Sequence, residues 1–119
     1  MPNSRELTVP AFHTALTMLG LAEALIKFQD PDDKEKFKAF IQKWVEADQV
    51  RENDPRQFLQ LFGEGFALFC SLPNEIRETT DNERNLFKTP IIQALAVAGV
   101  VANTAKIRVQ FTENGPVFS

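Results

Sequence analysis

Thr89–Thr104 reads TPIIQALAVAGVVANT, and whether this run is a helix or a strand decides the fold. From Ile91 to Ala102 the only polar side chain is Gln93. A helix here is apolar nearly all round, which is the mark of a buried element. A short apolar run with β-branched residues also fits a buried strand. Ala94, Leu95, Ala96, Ala98 and Ala102 are strong helix formers, and Thr89 before Pro90 offers a capping oxygen followed by a ring suited to the first helical position. The run therefore predicts a central helix. Ala94, Ala98 and Ala102 recur every four residues, leaving a stripe of methyl groups that lets a neighbouring backbone approach closely. A membrane span needs about 20 apolar residues, more than this run supplies.

Outward from that run, proline punctuates the chain. Pro10, Pro31, Pro55, Pro73 and Pro90 each precede a stretch of helical character, where a missing N–H costs least at the first helical position. Residues 1–9 read as a loose polar arm and Pro10–Gln29 as a largely buried first helix. The second helix carries the clearest signals: Asp30 as cap, Pro31 first, and Asp32 and Asp33 against the positive end of the dipole. Phe37, Phe40, Ile41, Trp44 and Val45 follow helical spacing, with lysines on the other side and a loop expected from Asp48 to Asn53. The third opens with Asp54, Pro55 and Gln57 in a capping-box pattern. Phe58, Phe62, Phe66 and Phe69 then form an aromatic line that Gly63 and Gly65 interrupt. A short polar helical segment follows Pro73, then a loop at 79–82 and a further turn or two through Lys88. Beyond the Pro90 helix the period falls to two: Ile107, Val109 and Phe111 alternate with polar residues, and Asn114–Gly115 is a turn signal. Residues 105–119 predict a β-hairpin.

The fold expected is a single, mainly α domain over residues 1–119, a compact bundle of four to five helices with a small C-terminal β-hairpin. The 44% hydrophobic content and eleven phenylalanines suffice for a core without staples. Cys70 is the sole cysteine, which excludes an internal disulfide. The first residues lack a basic segment followed by an apolar run, so a cytoplasmic location is expected. A formal net charge of −3 with interspersed signs argues against a nucleic-acid footprint.

Chemistry is constrained by what the chain contains. His13 and Cys70 are the only imidazole and thiol, so a Cys–His enzyme must bring both together with an orienting group. Cys70 ends an apolar helix, where a thiolate is disfavoured. Four zinc ligands cannot come from one cysteine and one histidine, and no Glu-x-x-His pair exists for a di-iron bundle. Asp30, Asp32 and Asp33 lack the glycine and glutamate of a calcium loop and read as helix caps. No metal or cofactor is expected.

No motif here is specific to a family, and three functional classes follow from what remains. The leading one is a non-catalytic protein-interaction or regulatory module, homodimeric through the hairpin face Ile107, Val109 and Phe111, with a further unidentified protein as partner. The alternative is a domain binding an apolar small molecule in a groove lined by Phe58, Phe62, Gly63, Phe66 and Phe69. The third is an enzyme whose chemistry the residues do not specify, and behind these stands a DNA-binding regulator of winged-helix type, for which Lys106, Arg108 and the lysines of the second helix speak. The apolar character of the helix before the hairpin speaks against it.

Overall fold

The structure, a computed structural model, describes residues 4–77 and 88–119. In chain order these hold α1 (Ser4–Leu25), α2 (Pro31–Val50), α3 (Pro55–Cys70), the single turn α4 (Asn74–Arg77), α5 (Lys88–Ala105), β1 (Val109–Thr112) and β2 (Gly115–Phe118). The helical bundle with a C-terminal hairpin is the architecture the sequence predicts. The loop expected at 79–82 and the turns after it lie outside the described residues.

The caps form as their residue types require. Asp30 accepts a hydrogen bond from the Asp32 backbone N–H at 2.9 Å, ahead of Pro31. Asp54 accepts from the Gln57 N–H at 3.1 Å, ahead of Pro55. Each side chain satisfies a donor that the first helical turn leaves unpaired. The element ends differ from the pattern in four places. α1 begins at Ser4, so residues 4–9 are helix rather than a loose arm, and Pro10 is its seventh residue. An interior proline removes one backbone donor and costs about 3 kcal/mol, which is why the sequence reads as a start there. α1 ends at Leu25 instead of Gln29, and α2 runs on through Asp48 to Val50. α5 begins at Lys88, leaving Pro90 within the first turn, where a missing donor is harmless.

The centre of the bundle is α3, not the Pro90 helix. α3 touches α2, α5 and both strands. Its Phe58, Leu59, Phe62, Gly63, Gly65 and Phe69 are buried. The two interior glycines are explained by contact. A Cβ on Gly65 would stand 2.5 Å from Trp44 Cδ1, and one on Gly63 would stand 2.5 Å from Pro116 Cβ. Gly65 thus admits the indole of α2, and Gly63 seats the hairpin. Trp44 stacks on Phe62 at 4.5 Å and 11°, and its Nε1 donates to the Phe62 carbonyl at 3.0 Å. Phe12, Phe37, Phe40 and Phe58 complete a continuous aromatic core around it.

α5 packs its Ile91, Ala94, Val97 and Ala98 inward. Ala94 and Ala98 have no exposed surface, in keeping with the close approach expected of the alanine stripe. Gln93, the one polar group of the run, donates through Nε2 to the Ala11 carbonyl at 2.6 Å and ties α5 to α1. α5 then ends in a Schellman motif: Ile107 N–H donates to the Ala102 carbonyl and Lys106 N–H to the Asn103 carbonyl. Lys106 takes the left-handed position at φ 59°, which glycine usually fills. The strands pair antiparallel from Val109 opposite Phe118 to Thr112 opposite Gly115. Glu113 and Asn114 form the tip, and Gly115 supplies the positive φ of 116°.

Candidate functional site

The aromatic line of α3 is core. Phe58 and Phe62 have no exposed surface and Phe69 is buried. The half-buried Phe66 lies 6.4 Å from the ring of Phe111. With Pro116 seated on Gly63, the five residues expected to line a groove are packed against their own chain. The hairpin supplies that packing. Ile107, Val109 and Phe111 rest half-buried on the core, with Phe111 5.0 Å from Phe62. Part of the face expected to meet a second subunit thus packs on the core of its own chain, and the rest of each side chain stays exposed. Arg56 over the Phe118 ring at 4.3 Å holds the far strand to the start of α3.

The two candidate catalytic side chains have separate surroundings. His13 Nε2 lies 3.1 Å from Asp48 Oδ2, and the buried Arg51 guanidinium lies 3.2 Å from Asp48 Oδ1 and 5.7 Å over the Phe12 ring. Asp48 Oδ1 accepts no hydrogen bond of regular geometry, so its contact with Arg51 is one of charge rather than direction. His13 itself is exposed and has α2 as its partner. The arrangement fastens α1 to the end of α2. Sequence reading missed it because Asp48 falls where a loop is expected; the extra helical turn is what brings Asp48 under His13. Cys70 has Arg77 and Glu113 as charged neighbours, and burial pushes its thiol up from the ordinary value. A raised thiol is a poor nucleophile at neutral pH. Among the described residues, no group of three or more His, Cys, Asp or Glu side chains is placed to hold a metal ion.

Two features that the sequence did not single out stand open to solvent. The first is the outer face of α5. Ile92 is 55% and Val100 36% exposed, and Ala96, Gly99 and Asn103 beside them are exposed too. These residues recur at helical spacing and none is charged. Lys106 and Arg108, the basic residues of the DNA-binding reading, are exposed beyond the end of this face rather than on it. Gly99 has nothing within 4 Å of where its Cβ would stand, so no contact among the described residues accounts for a glycine that costs about 1 kcal/mol in a helix interior.

The second is a cavity of about 460 Å³ between α1 and α2. Ala24, Ile26 and Phe28 give it an apolar lining, and Lys34, Lys38 and Glu23 bring charge to it. Gly20 also lines it and likewise has nothing within 4 Å of its would-be Cβ. Among the described residues, Gly63 and Gly65 thus have a packing reason, whereas Gly20 and Gly99 do not. No helix among the described residues is long and apolar enough to cross a membrane. Comparison of the chain with protein families, characterised proteins and solved structures finds no match.

Proposed function

We propose that the protein is a non-catalytic interaction module of the cytoplasm that self-associates through the outer face of α5. The observation that carries this reading is the exposed, uncharged stripe of Ile92, Ala96, Gly99, Val100 and Asn103. An amphipathic surface helix turns charged and polar groups to water; this one turns isoleucine, valine, alanine and glycine. Ala96 and Gly99 leave room for a second helix to approach, and Ile92 and Val100 supply apolar area on either side. The occupant is a second copy of the chain. Two-fold pairing sets each patch against itself, and no charged residue lies between Thr89 and Ala105 to repel its counterpart.

The stripe runs over twelve residues, about 16 Å of helix from first to last, which places the contact at the small end of specific interfaces. Reversible association in the micromolar range follows, on the order of 8 kcal/mol. Sedimentation velocity over a concentration series tests it with Ile92→Glu as the variant. Ile92 is more than half exposed, so the substitution leaves the core alone while placing a desolvated carboxylate in each half of the interface. Wild type should shift from monomer to dimer as concentration rises, and the variant should stay monomeric. A wild type that remains monomeric to millimolar concentration, or a variant that dimerises equally well, removes the reading.

A further inference from the structure

The cavity between α1 and α2 lies apart from the α5 face, and none of its lining residues belongs to α5. Its size falls in the range of small-molecule sites. Its chemistry is two-sided. Phe28 packs on the Phe37 ring at 5.7 Å and, with Ile26 and Ala24, presents apolar surface to the cavity. Lys34 and Lys38 stand one turn apart on α2, and neither forms an ion pair among the described residues. Two ammonium groups on one helical face, both also lining an apolar recess, suit a ligand with an apolar body and an anionic head. Glu23 refines the choice. Two lysines against one glutamate leave a single net positive charge in the lining, which a monoanion balances. Gly20 adds room, because no described residue lies within 4 Å of where its Cβ would stand.

We infer that this cavity is a binding site for a small amphipathic monocarboxylate. The hydrocarbon portion rests on Ala24, Ile26 and Phe28, and the carboxylate lies between the Lys34 and Lys38 ammonium groups. Gly20 leaves the space that the ligand fills. This site does not rest on self-association: Ile92→Glu should leave it unchanged.

Octanoate, titrated calorimetrically into the full chain beside neutral octanol, tests the assignment. Octanoate should bind saturably at one site, about 5-fold or more tighter than octanol. Gly20→Leu should fill the recess and weaken octanoate by about 10-fold or more, with a urea midpoint no lower than wild type. Ala24→Met, at a second exposed lining position, should act in the same direction and serves if the first variant loses its fold. Lys34→Gln with Lys38→Gln should reduce octanoate to the affinity of octanol while leaving octanol unchanged. The assignment is overturned if octanoate does not saturate below about 10 mM, if octanol binds as tightly as octanoate, or if folded blocking variants bind like wild type.

Discussion

Replacing Gly65 with alanine adds one methyl group at one of the two tightest contacts of the core. The new Cβ would lie 2.5 Å from Trp44 Cδ1, 2.7 Å from its Nε1 and 3.2 Å from Lys43 Cβ, whereas carbon atoms rest at about 3.5–4.0 Å. The indole has to retreat by about 1 Å, and its surroundings are full. Phe62 stacks at 4.5 Å on one side, Phe40 stands at 4.7 Å and Phe12 at 6.0 Å. Retreat also strains the 3.0 Å bond from Nε1 to the Phe62 carbonyl. Overpacking costs about 1–3 kcal/mol and the weakened hydrogen bond about 1 kcal/mol, while the helix preference of alanine returns about 1 kcal/mol. The net loss is about 1–3 kcal/mol, or about 4–12 °C in Tm for a chain of this size. Gly20→Ala is the control, since it makes the same propensity gain with nothing within 4 Å and should stabilise by about 1 kcal/mol. Urea unfolding followed by circular dichroism gives both values. If Gly65→Ala is as stable as Gly20→Ala, Trp44 does not lie against Gly65 and the account of the α2–α3 contact fails.

Three further outcomes are expected. Ala98 is fully buried, so Ala98→Leu should destabilise by about 1–3 kcal/mol through overpacking; an unchanged urea midpoint would place Ala98 at the surface. Lys106 occupies the left-handed cap of α5 at φ 59°, so Lys106→Gly should raise stability by about 1 kcal/mol, and a fall would argue against the Schellman geometry. Hydrogen bonds from Gln60 and then Lys43 hold the Glu64 carboxyl below its ordinary value of 4.5. Because the folded value is the lower one, the stability Glu64 contributes is present above the unfolded value and disappears as pH falls through the folded one. The stability difference between wild type and Glu64→Gln should accordingly grow as pH rises from acid toward the ordinary value of 4.5; a flat difference would show that the carboxylate gains nothing from these partners.

The elements were legible where chemistry is local. Asp30–Pro31 and Asp54–Pro55 mark their helices because an acceptor followed by a residue without a donor suits only a helix start. Alternation at Ile107, Val109 and Phe111 marks the hairpin because strands have a period of two. Pro10 misleads because the same ring that opens helices can be carried inside one at a cost. The apolarity of the Pro90 helix misleads for a related reason: periodicity reports how much of a helix is apolar, not how many of its sides are covered. Ile91 and Ile92 are adjacent and chemically identical, yet one is buried and the other exposed. The fate of the glycines was beyond local reading as well. Gly63 and Gly65 are filled by Pro116 and Trp44, residues 53 and 21 positions away in sequence, and only the packed chain separates them from Gly20 and Gly99. The cavity, likewise, joins side chains of two helices and their connection that share no motif.

The claim that α5 pairs with α5 is tested most directly by cross-linking. Single cysteines at Ala96, Gly99 and Asn103 in a Cys70→Ser background would be oxidised under mild conditions, with Ala39→Cys on the exposed side of α2 as reference. A disulfide requires Cα atoms about 4.4–6.8 Å apart, a separation that a two-fold helix pair provides near its axis. At least one of the three should form a dimeric disulfide much faster than Ala39→Cys, and Ile92→Glu in the same chain should abolish that advantage. Equal, slow, concentration-limited oxidation at all four positions would contradict the account.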